Sequence, residues 1–123
     1  MVKSVPILSA PPVVEPFAFP TDLTEGRRAS VACVVSAGDL PIEIRWLKDG
    51  RPPGPELRGH VARANDYTSL LSVPSVAARH AGNYTCLASN PAATASHSAP
   101  MVVQGTYTLI LEHKLVFGED LSM

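Results

Sequence analysis

The chain of 123 residues carries ten basic and eleven acidic side chains, for a net charge of −1. That length suits one domain of ordinary size and is too short for two well-packed ones. Near-neutrality leaves no electrostatic footprint for nucleic acid or an anionic membrane.

Twelve prolines and eight glycines cut the chain into short segments, the punctuation of an all-β fold rather than a helical one. Two cysteines in a domain of this size fit one structural disulfide and an oxidising compartment. No apolar run reaches the roughly 18 residues of a transmembrane helix, and Met1-Val2-Lys3-Ser4 lacks the apolar centre of a secretion signal. The chain therefore reads as a piece of a secreted or cell-surface protein, held at a membrane only through parts it does not contain.

In chain order, prolines at 6, 11, 12, 16 and 20 confine residues 1–20 to a kinked edge strand, β1, at Val13-Val14-Glu15. Leu23-Thr24-Glu25-Gly26 switches the chain to a second edge. Strand β2, Ala29 to Ser36, alternates cleanly, with Val31, Cys33 and Val35 on one face and Ser30, Ala32, Val34 and Ser36 on the other. Gly38-Asp39 turns the chain into β3, where Ile42, Ile44 and Trp46 point inward and Glu43, Arg45 and Leu47 outward; Lys48-Asp49-Gly50 closes it with a tight turn. Residues 51–59, rich in Pro and Gly, read as a loop. His60 to Ala64 makes a short β4, closed by Asn65-Asp66. In β5, Leu71 and Val73 point inward, and Thr68, Leu70 and Ser72 outward. Val76 caps the core across the next turn. Tyr84, Cys86 and Ala88 share one face of β6, and β7 runs from about Thr94 to Val103 after the Asn90-Pro91 turn.

No catalytic pattern appears: there is no Gly-x-Ser-x-Gly elbow, no phosphate-cradling glycine loop and no Cys-x-x-Cys. His60, His80, His97 and His113 lack metal-ligand spacing, so surface or turn roles are expected, with no metal, cofactor or small-molecule substrate. Asn83-Tyr84-Thr85 is a glycosylation sequon whose Asn83 faces away from the core; against it stand chance occurrence and placement on a strand. Val34 and Leu70 are apolar at positions that face solvent, among small neighbours, with His60, Arg63 and Glu15 as an expected rim. Scattered exposed apolar residues are ordinary, whereas a contiguous patch marks a protein interface.

Trp46-Leu47-Lys48-Asp49-Gly50, Leu71-Ser72-Val73, Val76 and Gly82-Asn83-Tyr84-Thr85-Cys86-Leu87-Ala88-Ser89-Asn90 together resemble the I-set immunoglobulin pattern. Arg79-His80-Ala81-Gly82-Asn83-Tyr84-Thr85-Cys86, Gly38-Asp39-Leu40-Pro41-Ile42 and Pro11-Pro12-Val13-Val14-Glu15-Pro16-Phe17 are similar to the variable domains of arthropod Down syndrome cell-adhesion molecules (Dscam). The resemblance covers residues 10–104, leaving 1–9 as an N-terminal extension and 105–123 as a C-terminal tail. That tail is β-prone and of low net charge, and is either foreign to the domain or an added edge strand.

The resemblance implies an all-β two-sheet sandwich, with Cys33 and Cys86 bonded between the sheets, Trp46 against the bridge, and Tyr84 pinning the turn into β6 through its hydroxyl. Free buried thiols, as in intracellular muscle domains of the set, are the alternative. It also implies an extracellular, non-enzymatic module that binds a like isoform of itself in antiparallel fashion, for which the outward parity of the strands offers Val34, His60, Arg63, Thr68, Leu70 and Ser72 as the contact. A structural spacer in a receptor or filament-associated chain is the competing role. Many I-set domains pair an Asp at the position of His80 with an Arg near the fourth strand. Here that ion pair is absent, and His80 is expected to hydrogen-bond within its own turn.

Overall fold

The computed structural model describes residues 9–57 and 59–105. Seven strands form: β1 Val13–Val14, β2 Ala29–Ala37, β3 Glu43–Lys48, β4 Val61–Asn65, β5 Thr68–Val73, β6 Gly82–Ser89 and β7 Thr94–Met101. They make a four-stranded sheet in the order β1-β2-β5-β4 and a three-stranded sheet in the order β3-β6-β7, with every strand pair antiparallel. No α-helix occurs among the described residues; two single-turn 3-10 helices, Pro55–Leu57 and Ala78–His80, sit in the connections. The expected all-β sandwich is the fold observed. The proposed division at residues 10 and 104 cannot be set against the tail, because 106–123 and His113 with them lie outside the described residues.

Period-two alternation builds both inner faces. In β2, Val31, Cys33 and Val35 are buried while Ser30, Val34 and Ser36 are exposed. Trp46 stands opposite Cys86 across β3 and β6, and Cys33 reaches Cys86 between the sheets to form the disulfide, closing 53 residues of sequence separation. No free cysteine is present. The Tyr84 hydroxyl donates to the His80 carbonyl at 2.6 Å, which ties β6 to the turn before it. Burial holds the Tyr84 phenol far above its ordinary range, so it stays a donor.

The core also draws on segments without a strand pattern. Phe17 packs edge-on to Trp46 at 5.4 Å between centroids, Phe19 tilts against Tyr84 at 5.3 Å, and Leu23 is buried. Thr24 forms a parallel bridge with Gln104, so the expected switch to a second edge places this segment beside the end of β7. The described residues of the 51–59 stretch form a loop but not a purely exposed one: its 3-10 turn drives Leu57 into the core. Asp49 and Gly50, with φ of 53° and 80°, form the tight turn after β3. Gly38 is required at the end of β2, since its φ is 125° and a Cβ there would stand 2.7 Å from Pro12 Cα.

Candidate interaction face

The outward side of the four-stranded sheet is set by strand register. Leu70 lies between Ala32 of β2 and Ala62 of β4, Val34 lies opposite Thr68, and Ser30 lies opposite Ser72. Directly opposed residues on an antiparallel pair project to the same face, so these seven side chains form three rows of one surface. Leu70 and Val34 are each 37% exposed. Ser30 and Ser72 satisfy each other through hydroxyls 3.0 Å apart. None of the seven is charged, and Leu70 and Val34 are the two large apolar side chains among them. The structure thus brings together Val34, Thr68, Leu70 and Ser72 of the expected set.

Arg63 and His60 are placed differently from that expectation. Arg63 stands opposite Ser69, on the inner side of the sheet. Its guanidinium donates to the carbonyls of Ile42, Asn65 and Asp66, at 2.9, 2.8 and 2.7 Å. Three carbonyls hold a five-donor guanidinium firmly, so Arg63 closes the sandwich edge instead of rimming the face. His60 is half-buried below the sheet end, its ring stacked on His80 at 6.2 Å. Glu15 does border the face: its carboxylate accepts a hydrogen bond from the Ser36 hydroxyl, and its N–H donates to the Val34 carbonyl at 2.9 Å.

On the opposite sheet, Asn83 is exposed on β6, and its N–H donates to Asp49 Oδ1 at 2.9 Å. Glu43 and Arg45 are exposed on β3, with 3.9 Å between their charged atoms. An apolar hollow of about 540 Å³ opens at the sandwich edge, lined by Ile44, Trp46, Pro53, Leu57 and Val61 among others. Among the described residues no group of three or more His, Cys, Asp or Glu is arranged to hold a metal ion. No described helix is long and apolar enough to cross a membrane.

Two buried polar groups were not legible as such in the sequence. Ser69 accepts the Trp46 indole N–H at 2.9 Å. Its place two residues before Leu71, on the inward face, was the available signal, since a buried indole needs an acceptor. His80 does hydrogen-bond in its own turn, with Nδ1 accepting from the Ala77 N–H at 2.9 Å, but it is 2% exposed rather than at the surface. No hydrogen bond of normal length closes on its Nε2, although the Glu56 main chain lies close enough to favour a charged ring. Desolvation outweighs that and holds the imidazole below its usual value, with the Arg79 and His60 charges acting in the same direction.

Residues 11–90 match the family model for the immunoglobulin domain. The cell adhesion molecule Dscam2 of Drosophila melanogaster is 49% identical over 72 residues, which are 58% of this chain and 4% of that protein. The chain therefore spans only a small fraction of the length of such relatives. Among solved structures, the Dscam1 Ig7 domain isoform 5 superposes with a TM-score of 0.72 at 32% identity, over 76% of this chain and 97% of that one. Isoform 9 of the same domain superposes with a TM-score of 0.67 at 42% identity, over 77% and 99%. With its disulfide, its Trp46 beside the bridge and its Tyr84 hydroxyl at the turn, the chain belongs to the immunoglobulin domain family and resembles the Ig domains of Dscam.

Proposed function

We propose that this chain is an extracellular recognition domain of a Dscam-like cell-adhesion protein, and that it binds a second copy of itself through the outer face of the β1-β2-β5-β4 sheet. The observation that carries this reading is the row Ala32–Leu70–Ala62: one exposed leucine on a floor of small, uncharged side chains. Such a surface lets two sheets approach closely. A two-fold contact sets the same patch on both partners, so each residue acts twice. The opposite sheet suits this role less well, because it displays Glu43 and Arg45 and would carry a glycan on Asn83, the modification its exposed sequon invites. About 800 Å² per partner is usual for a stable contact, and less for a weak one. Sedimentation over a range of concentrations tests the reading. Wild type should dimerise as concentration rises. Leu70→Asp should remain monomeric, because central residues dominate such contacts and two carboxylates would be desolvated against one patch. Arg45→Glu should dimerise like wild type. A wild type that stays monomeric at high concentration would favour a spacer domain, and dimerisation of Leu70→Asp but not of Arg45→Glu would place the contact on the other sheet.

A further inference from the structure

We propose that Glu15 and Arg28 form reciprocal charge pairs across the self-contact and fix its antiparallel register; this rests on the reading of the β1-β2-β5-β4 face given above. Glu15 is anchored beside one end of β2 by the Ser36 hydroxyl and by its own N–H to Val34. Arg28 is exposed beyond the other end, where it lines a shallow hollow with Ser30 and Ser72 of the same face. Among the described residues its guanidinium has no hydrogen bond or ion pair, in contrast to Arg63, whose donors are committed to three carbonyls.

Ala32 stands midway between Arg28 and Ser36, four residues from each, and Ala32 is the residue paired with Leu70. The Glu15 backbone is level with Val34, but its carboxylate, held at the Ser36 hydroxyl, and the Arg28 position lie at about equal distances, on the order of 13 Å, on either side of the Leu70 row. A two-fold axis that runs along this row, between two facing sheets, reverses strand direction and leaves lateral position unchanged. Each Glu15, beside β1, then comes within about one strand spacing, roughly 4.8 Å to the side, of the partner's Arg28 before β2, a gap that the two long side chains span, while Leu70 meets Leu70. Displacing one copy along the strands, or turning it to a parallel orientation, breaks both pairs together. Charges at the rim of an apolar centre select orientation and partner more than they add affinity. A copy with the two charges mismatched is rejected twice by the symmetry.

The test uses the full chain in four forms: wild type, Glu15→Arg, Arg28→Glu, and the double exchange. Each single variant sets like charges against each other at both ends and should lose self-association by about tenfold or more. The two single variants mixed together should associate to within about threefold of wild type, because both pairs are then opposite in sign. The double exchange should also self-associate. Recovery in the mixture cannot come from variants that fail to fold. If both single variants self-associate like wild type, or if the mixture recovers nothing, the register is overturned. The face itself then stands or falls separately on Leu70→Asp, since that substitution alters no residue of the charge pairs.

Discussion

At the scale of the residue, His80 shows how a polar side chain becomes an internal part of an apolar fold. Its Nδ1 holds the Ala77 N–H, its carbonyl holds the Tyr84 hydroxyl, and its ring stacks on His60, with Arg79 and Glu56 nearby. Burial makes the neutral ring the preferred native form. The unfolded chain protonates this histidine near pH 6.5, while the folded chain resists down to a lower pH. Stability is thus fully present above about pH 6.5 and falls as acidification proceeds towards the native value, at up to about 1.4 kcal/mol per pH unit within that window. Denaturant unfolding between pH 7.5 and 5 should show this loss. His80→Gln should flatten it, since glutamine does not titrate, and a slope unchanged in His80→Gln would assign the acid sensitivity to other groups.

At the scale of the element, β4 is a short edge strand whose side chains are exposed along its whole length. Hydrophobic burial gives it little, so what holds it against β5 and the neighbouring sheet is polar. Arg63 joins the β4–β5 turn, through the Asn65 and Asp66 carbonyls, to the Ile42 carbonyl at the entrance to β3. Replacing Arg63 with Ala should destabilise the domain by about 1–3 kcal/mol, because three charge-assisted hydrogen bonds to main-chain carbonyls are lost. Self-association of the folded fraction should be unchanged. A variant with normal stability but weakened dimerisation would instead place the side chain on the contact face.

At the scale of the whole molecule, the disulfide is a covalent tie between the two sheets across the core. Closing a loop of this length contributes on the order of 4 kcal/mol in the chain-entropy account. Thiol titration of the unreduced, denatured protein should find no free thiol. Replacing Cys33 and Cys86 with Ala should lower stability by about 2–5 kcal/mol. Two titratable thiols before reduction would refute the bridge and remove the support it gives to an oxidising compartment.

Strand positions and parity were legible in the amino-acid sequence because both follow from local physics: an alternation of two in β2, β3, β5 and β6, and turns that need Gly, Asp or Pro; the order of the strands in each sheet came only with the family resemblance. Leu70 and Val34 had to face outward once Leu71, Val73 and Cys33 faced inward. Tertiary structure alone decided what fills the space between the sheets and what closes their edges. Phe17, Phe19, Leu23 and Leu57 lie in proline-rich or irregular stretches without periodicity, so nothing local marks them as core. His60 and Arg63 looked like rim residues because a strand pattern gives a side chain's face but not its reach. A long guanidinium on an edge strand finds backbone carbonyls around the corner, and a histidine before the first residue of a strand follows the turn rather than the sheet. That Glu15, Ala32 and Leu70 share one surface also needs register, because the sequence separates these residues and only the pairing of β2 with β1 and β5 brings them together.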